Sequence, residues 1–306
     1  MKLWQYALIV FLGGCSYGIL STFVKTAYSV GFTSAEVIGA QFLFGVVFNW
    51  FLVLFVKKKR KINNVPILKL ILAGIPFGLA GMLYYQSLQT LNASFAIILL
   101  FQFVWIGTIF EWLFHKKKPT TGKLISIVVL LIGSLLAANV LSQQKVSLSW
   151  IGITWGLLAA ISFALFIFLS SSIGKNTPPI LKSSLLSSGG FIVVLFISPP
   201  TFIFNVDVLT RLLPYGLVLG IFGVVLPPLL FSIGLPHLGA GLGTIMTASE
   251  LPMAVVMSSV FLSEKVTWMQ WLGVIIILVG IGSSNIKLKN NNKVDSTKIN
   301  IQNEST

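Results

Sequence analysis

Charged residues are scarce in this sequence, and the scarcity excludes whole classes of protein. Only 9% of the 306 residues are Asp, Glu, Lys or Arg, and seven are acidic. Soluble domains carry about 25% charged residues. A chain with 56% hydrophobic residues and a mean hydropathy of +0.94 cannot cover a globule with polar surface. The composition excludes a soluble enzyme, a disordered chain and a fibrous repeat, and it indicates a polytopic membrane protein.

Cysteine and histidine are also nearly absent. The single cysteine, Cys15, excludes a disulfide framework within the chain and a cysteine-based metal site. The segment 12–16 around it looks like a lipoprotein cleavage box. Because the apolar run continues to Val24, we interpret Cys15 as a position inside the first membrane helix. The two histidines, His115 and His237, form no His-Glu-x-x-His motif, which excludes a metalloprotease of that type.

Catalytic signatures are missing as well. Gly122-Lys123 lacks the upstream glycine of a Walker motif, which excludes ATP hydrolysis at such a site. The chain offers no Ser, His and Asp in a plausible shared site, and no Gly-Tyr-Gly run typical of a potassium-type pore. The sequence therefore predicts a protein that is not an enzyme and has no catalytic residues, no cofactor and no metal site.

Long apolar runs separated by polar or turn segments make up most of the chain. At roughly 20 residues per span, its length leaves room for about ten membrane helices. Pro199-Pro200 ends the seventh run, and Pro227-Pro228 interrupts the eighth. The pattern predicts an all-α polytopic membrane protein with ten transmembrane helices. The predicted spans are 5–24, 35–56, 67–88, 92–114, 122–141, 150–172, 180–198, 212–234, 238–262 and 269–286.

Basic residues are distributed unequally between the two faces of this map. The N-terminus, the even-numbered loops and the tail hold 17 of the 21 Lys and Arg residues, and the other face holds Lys25, Lys145, Arg211 and Lys265. Basic loops remain in the cytoplasm, so both termini are predicted to be cytoplasmic. We interpret the net charge of +14 as contact with anionic lipid and not with nucleic acid. The segment 287–306 is predicted to be a disordered cytoplasmic tail.

A weak internal repeat divides the chain into two halves of five spans. A shift of 147 residues aligns 88–133 with 235–280 without a gap and with nine identities, and a shift of 146 aligns the first and sixth spans. Because five is odd, the second half must be inserted upside down. We expect two inverted five-helix repeats, 1–145 and 146–286. Inverted repeats are a recurrent design of secondary transporters, so the pattern predicts alternating access.

One acidic residue lies near the middle of a span. Glu250 is costly at membrane depth and must face a cavity, water or a partner. Pro252 removes a backbone donor and loosens the same helix. Glu250 is either a substrate or proton site beside a helix break, or a structural carboxylate that bonds a neighbouring helix. Lys25 closes the first span and either snorkels outward or lines the outer mouth of a cavity.

The other acidic residues within or beside the spans lie nearer to the span ends. Glu111 precedes the basic block 115–118 by one turn, and we interpret it as an interfacial ion pair, with a transport role as the alternative. Glu36 and Glu264 are interpreted as anchors on the outer side. Glu264 with Lys265 is also a candidate gate.

Several polar, aromatic and small residues are candidates for the pathway or for a hinge. Gln102 and Trp105 in the fourth span, with Tyr85 in the third, offer a lining for a small amphipathic or aromatic solute. The segment 84–86 fits an interfacial belt equally well. Small residues and proline recur in matching spans of both halves, which favours close packing or a hinge. The candidate hinge or packing residues are Gly78, Gly81, Pro227, Pro228 and Gly241.

The sequence resembles the EamA type of the drug/metabolite transporter superfamily over about residues 5–285. In the second half the resemblance rests on Ala240-Gly241, Glu250-Leu251-Pro252, Ser263-Glu264-Lys265-Val266-Thr267, Gln270, Gly273 and Gly280. In the first span it rests on Gly14, Ser16, Tyr17 and Lys25. The chain departs from the family pattern where one residue separates Glu250 from Pro252 and where the segment 103–105 fills the Glu-Pro position of the first repeat. Gln41 is the nearest match to an arginine of the family's second span.

The resemblance implies a ten-helix permease of the cell membrane with a central cavity between its halves. It implies a small-molecule substrate and a protein that exports amino acids or other small polar or amphipathic compounds, as a monomer or homodimer in the lipid bilayer. Glu250 is then the proton or substrate group, and Ser16, Tyr17 and Ser162 join the pathway. Import of a sugar or another neutral solute is one alternative. A membrane scaffold or sensor without transport is the other.

Overall fold

A computed structural model describes residues 1–55, 66–91, 93–139, 149–263 and 265–284, with residues 93 and 94 described by their backbone alone. Throughout these ranges the regular elements are helices. The helices are α1 Leu3–Ser29, α2 Ser34–Leu54, α3 Ile67–Thr90, α4 Ala93–Phe101, α5 Phe103–His115, α6 Thr121–Ala137, α7 Trp150–Ser172, α8 Pro179–Ile197, α9 Val206–Leu219, α10 Leu226–Leu238, α11 Ala240–Thr247, α12 Glu250–Phe261 and α13 Trp268–Ser284. A short 3-10 helix, Thr201–Phe204, precedes α9, and a π-helical turn, Gly220–Val225, joins α9 to α10.

These helices form the ten predicted spans. Eight stretches are long and apolar enough to cross a membrane, and α6 and α13 are shorter apolar helices. Helices α4 and α5 share one span, α9 and α10 share a second, and α11 and α12 share a third. The all-α polytopic fold is therefore confirmed, whereas the cytoplasmic position of both termini stays a prediction. The basic segment 57–61, Lys145, Glu264 and the predicted tail 287–306 lie outside the described residues.

The fourth and ninth spans each contain a break. A break beside Glu250 in the ninth span was one of the two interpretations of the sequence, whereas the break in the fourth span was not predicted. In the fourth span Gln102 separates α4 from α5, and in the ninth Ala248 and Ser249 separate α11 from α12. The 147-residue shift of the repeat places Gln102 opposite Ser249. Because the side chains differ while the positions match, the break belongs to the repeat architecture. It makes Glu250 the first residue of α12.

The eighth span is continuous through Pro227 and Pro228, which we expected to interrupt it. Its helix begins at Val206, earlier than the predicted residue 212, and the π-helical turn directly precedes the prolines. Proline cannot donate a helical hydrogen bond and clashes with the turn before it. The wider π turn removes that conflict, so the span changes its winding and does not end.

The two prolines leave backbone carbonyls of the preceding turn without a helical N–H donor. Side chains from other helices donate hydrogen bonds to these carbonyls. Ser16 Oγ donates to the Phe222 carbonyl at 2.7 Å. Asn49 Nδ2 and Ser187 Oγ each donate to the Val224 carbonyl, both at 3.0 Å. A buried carbonyl without a donor is costly in a membrane protein. These bonds fix the π turn against α1, α2 and α8.

The two halves of the chain pack against each other through small residues. Helix α3 lies against α7 and α8, and α1 lies against α10 and α12. A Cβ at Gly74 would meet the Leu186 carbonyl of α8, and a Cβ at Gly78 would meet the Gly190 carbonyl. Small residues allow such close approach of membrane helices. Gly78 thus lies at a close contact between the two halves, and its role as a packing or hinge residue stays a prediction.

Candidate functional site

A cavity of about 390 Å³ lies between the two halves of the bundle. Its walls come from the second half of α1, the first half of α2, the second half of α3, α4 in the first half of the fourth span, and most of α12. Consecutive spans run in opposite directions, so these segments all lie toward one face. The face at which α1 begins is called the N-terminal face. The opposite face, toward which the cavity lies, is called the distal face. The lining residues are Tyr17, Gly18, Leu20, Ser21, Thr22, Val24, Lys25, Tyr28, Gln41, Phe42, Phe77, Ala80, Gly81, Tyr84, Tyr85, Leu88, Ile97, Leu100, Ala137, Ala138, Phe163, Glu250, Leu251, Ala254, Val255, Ser258, Leu262 and Gln270.

Glu250 is half-buried in the cavity wall, where α12 begins. Among the described residues no hydrogen-bond donor and no cation contacts its carboxylate. The first turn of α12 presents the positive end of the helix dipole to it. Tyr17 and Tyr84 are close enough to interact with it electrostatically. The site therefore combines one acidic group with two phenol rings.

Hydroxyl groups without partners accompany this carboxylate. The hydroxyls of Tyr17, Thr22 and Tyr28 are buried and make no hydrogen bond within the described part of the chain. All three residues line the cavity. Tyr85, by contrast, donates from its hydroxyl to Gln41 Oε1 at 3.1 Å. Because buried polar groups are normally hydrogen-bonded, the three free hydroxyls indicate a place where a solute or water binds.

Aromatic rings separate the cavity from the N-terminal face. The Tyr17 and Phe163 rings meet edge to face with centroids 5.5 Å apart, and the Phe103 ring meets Phe163 at 4.9 Å. The Phe77 and Phe166 rings stack at 4.8 Å. The 146-residue shift of the repeat aligns Tyr17 with Phe163, so equivalent positions of the two halves touch where the halves meet. Tyr17, Phe77 and Phe163 line the cavity and form its floor, and the rings of Phe103 and Phe166 pack against them.

Polar contacts hold the N-terminal face together. Glu111 Oε2 lies 2.8 Å from Lys123 Nζ and accepts a hydrogen bond of 3.2 Å from the Gly241 amide in the first turn of α11. Thr244 Oγ1 of α11 donates to the Val104 carbonyl of α5 at 3.0 Å. The carboxylate is buried, and it forms the ion pair that the sequence suggested, with Lys123, while it lines a small pocket together with His115 and Lys117. It links the first half of the chain to the start of the helix pair that carries Glu250.

A model of the EamA-like transporter family matches residues 4–139 and 150–286. The chain belongs to the EamA-like transporter family. The match covers two repeats, and with the membrane-spanning helices it makes the chain a multi-pass transporter of the cell membrane that carries small solutes.

The fold of this EamA-like transporter is shared with a solved crystal structure of a protein. The two superpose with a TM-score of 0.71 and 12% sequence identity, over 92% of this chain and 98% of that one. At that identity the likeness concerns the fold alone. A comparison with curated protein sequences finds no match.

Four of the nine residues predicted for the pathway of this transporter lie together in the cavity wall. Glu250 is beside the floor, Tyr17 forms part of the floor, Tyr85 is on α3, and Lys25 is exposed toward the distal face. Lys25 also interacts with another part of the chain, so its ammonium group is not free. Gly81, predicted for a hinge or packing, lines the same cavity. Their roles in transport stay predictions.

The other predicted pathway residues lie outside the cavity wall. Trp105 Nε1 donates to Gln102 Oε1 at 2.8 Å, and Gln102 Nε2 donates to the Ile98 carbonyl at 3.0 Å, so this pair stabilises the break between α4 and α5. Ser16 bonds the π turn, as described above. Pro252 is buried in α12 and Ser162 is half-buried on α7, neither in the cavity wall.

The predicted hinge and packing residues lie at contacts between elements. Gly78 faces the α8 backbone, and Gly241 donates to Glu111. Pro227 and Pro228 directly follow the π turn. These positions fit close packing, and a hinge role for any of them stays a prediction.

Sequence reasoning missed Ser21, Thr22 and Tyr28 of α1 as lining residues. A helix brings positions three and four apart onto one face. Tyr17, Ser21 and Tyr28 follow that spacing with Lys25 between them. The polar stripe along the second half of the first span was therefore a visible signal. Nothing comparable marks Ser258 or Gln270, whose place in the wall depends on how α12 and α13 pack.

Proposed function

We propose that this transporter exports a small polar or amphipathic metabolite, with amino acids as the first class to test, by alternating access. The observation that carries the proposal is the cavity between the two repeats, with Glu250 beside its floor. Its volume of about 390 Å³ falls within the range of small-molecule sites. Binding between inverted repeats is typical of secondary transporters.

The conformation fits one step of such a cycle. The cavity lies toward the distal face, and rings and polar contacts close the way to the N-terminal face. With the N-terminal face in the cytoplasm, as the distribution of basic loops predicts, the conformation faces outward. An exporter releases its substrate in this state. Uptake of the substrate from the N-terminal face requires α5 and α11 to separate while the cavity closes toward the distal face.

Glu250 is the proposed proton or substrate group. A carboxylate at membrane depth is expensive and marks proton relays and substrate paths. In a proton-coupled exporter it binds the proton or the solute, but not both at once. An inward-directed proton gradient then drives efflux.

Flux in proteoliposomes tests the proposal. The protein is reconstituted with a panel of labelled amino acids and simple sugars, and exchange is measured with and without an acid gradient. We expect exchange of the amino acids, acceleration by the gradient, and at least about a tenfold loss in Glu250→Gln, equal to ~1.4 kcal/mol. Glu36→Gln is the matched control, since Glu36 only caps α2 through Thr33 and lies outside the cavity wall.

Each other outcome has a defined meaning. Exchange of sugars alone replaces the proposal with transport of a neutral solute. Unchanged flux and unchanged gradient response in Glu250→Gln remove the role of Glu250. No flux of any solute by folded, inserted protein favours a scaffold or sensor.

A further inference from the structure

One acidic side chain, Glu250, lies at the inner end of the cavity. Among the described lining residues, Lys25 and Glu250 alone are Asp, Glu, Lys or Arg. Lys25 is exposed toward the distal face and already interacts with another part of the chain. Glu250 is half-buried deeper in, at the start of α12, and Tyr17 of the floor lines the same cavity. A solute that reaches the floor therefore meets a carboxylate and no opposing cation.

Nothing in the described part of the chain neutralises this carboxylate by a direct contact. Glu111, the other buried carboxylate, has both Lys123 and a backbone amide. Glu250 has only the partial positive charge at the start of α12, equivalent to roughly half a unit charge. Burying a charge is costly unless it is paired. A cationic solute supplies the missing partner.

The surrounding groups match an ammonium ion in other respects. Tyr17 and Tyr84 line the same cavity as Glu250, and aromatic faces attract cations within about 6 Å. The free hydroxyl oxygens of Tyr17, Thr22 and Tyr28 are available to accept N–H hydrogen bonds. An anion is repelled by Glu250, and a neutral alcohol leaves its charge unpaired.

The rest of the wall suits an apolar body. Leu20, Phe42, Phe77, Ile97 and Leu100 contribute apolar side chains from four helices. A ring or short hydrocarbon chain attached to the ammonium group gains from leaving water on this surface. The carboxylate then sets the position of one end of the solute, and the apolar wall accepts the other.

We infer that the cavity selects its substrate by an ammonium group, so that the substrate class is a small organic amine with an aromatic or apolar body. The inference rests on the proposed transport function and names the group that the site recognises. A carboxylate on the substrate is not required. Glu250 pairs with the ammonium nitrogen, and the tyrosine rings and hydroxyls surround it.

Three probes that share a phenyl ring and a short chain test this inference. They are phenethylamine, phenethyl alcohol and 3-phenylpropanoate, which carry a positive, a neutral and a negative end group. Binding to the purified full-length protein is measured by calorimetry and by the rise in Tm. We expect the amine to bind at least about tenfold more tightly than the alcohol, which is ~1.4 kcal/mol, and the carboxylate to bind most weakly.

Variants assign the preference to Glu250. In Glu250→Gln the amine and the alcohol should bind within about threefold of each other, whereas Glu36→Gln should keep the wild-type preference. Tyr17→Phe removes one free hydroxyl and keeps the ring, so it should weaken amine binding and keep the order of the probes. The probe series on the wild-type protein stands by itself if Glu250→Gln does not fold.

Equal binding of the three probes, or tightest binding of 3-phenylpropanoate, overturns the inference. So does an amine preference that persists in folded Glu250→Gln. The liposome assay separates this failure from failure of the proposed function. If labelled amino acids or sugars are exchanged while the amine neither binds nor competes, transport stands and the ammonium inference falls. If no solute is exchanged, the proposed function falls too.

Discussion

The fourth span consists of α4 and α5, and the ninth consists of α11 and α12. The repeat makes the pair α5 and α11 equivalent to the pair α12 and α4, yet the bundle is closed at the first pair and open at the second. At the N-terminal face α5 and α11 pack directly against each other. At the distal face α4 and α12 both line the cavity. We call two residues repeat mates when the 147-residue shift aligns them. The same set of positions is thus seen once in contact and once apart.

Individual repeat mates show this contrast. Thr244 bonds the Val104 carbonyl at the closed end, and their mates Ile97 and Leu251 both line the cavity. Gly107 lies against Thr244, and its mate Ala254 also lines the cavity.

The charged pair of the closed end has neutral mates. Glu111 and Lys123 form an ion pair there, and their mates are Ser258 and Gln270, which both line the cavity. Charge-assisted hydrogen bonds are about twice as strong as neutral ones. The comparison teaches that equivalent positions of the repeat carry an ion pair at one end and neutral side chains at the other. In the proposed alternating-access cycle we therefore expect the closure at the N-terminal face to be the stronger of the two.

A disulfide bond at each end is the most direct test of whether the closed and the open end alternate. In a Cys15→Ser background, Gly107→Cys with Thr244→Cys should cross-link after a small separation of α5 from α11. A Cβ at Gly107 lies 3.3 Å from the Thr244 Cβ, slightly closer than the roughly 3.5–4.5 Å of a disulfide bond. Ile97→Cys with Ala254→Cys should cross-link only after the cavity closes. Mass spectrometry detects the bonds, and flux should fall at least about tenfold, or ~1.4 kcal/mol, in each oxidised variant.

Reduction is the control for this prediction, since it should restore flux in both variants. Single cysteine variants should not respond to oxidation. Full flux with either bond formed would show that the two ends do not alternate.

Neutralising the carboxylate at the closed end should have the next largest effect. Glu111→Gln removes the ion pair with Lys123 and weakens the bond to the Gly241 amide. Hydrogen bonds to charged groups contribute about 1.5–3 kcal/mol, so the closed end should loosen by that order. A cysteine at Thr108, a buried position beside Gly241, should then react faster with a maleimide.

The mate of Glu111 gives the matched control. Ser258→Ala changes the open end and should leave labelling at Thr108→Cys unchanged. If Glu111→Gln and Ser258→Ala label alike, the ion pair is not what closes the N-terminal face.

The smallest expected effect concerns a ring pair at the edge of the closed end. The Tyr6 and His237 rings stack with centroids 3.8 Å apart and join α1 to α10. Aromatic pairs contribute about 0.5–1.5 kcal/mol beyond their buried area, so Tyr6→Leu should lower the Tm slightly. Trp4→Leu, an exposed position on the same helix, should change it less. A larger loss in Trp4→Leu would contradict a stabilising role for the stack.

The sequence predicted the spans well because apolar length is a local property. A run of roughly 20 apolar residues is long enough to cross a bilayer whatever its neighbours are. The repeat likewise appeared as a constant shift along the chain, and the family resemblance followed from short motifs in order. Glu250 was found for a similar reason, since a carboxylate within an apolar run is costly in any packing.

The partners of these groups were harder to predict. Glu111 was expected to form an ion pair, but the sequence did not identify the partner, which is Lys123 on the next helix. Gln102 and Trp105 were expected in the pathway, but their side chains bond each other beside the break. Both outcomes depend on how the helices rotate about their axes and pack, which apolar periodicity leaves undetermined when spans are hydrophobic on all sides.

The sequence by itself determined that this protein crosses the membrane about ten times, in two related halves with one acid deep in the second. Those features follow from hydropathy, residue spacing and the cost of a buried charge. The tertiary structure decided which side chains surround that acid, which end of the bundle is closed, and how Pro227 and Pro228 fit into a continuous span. Each of these depends on contacts between residues far apart in the chain, such as Ser16 with Phe222 and Glu111 with Gly241.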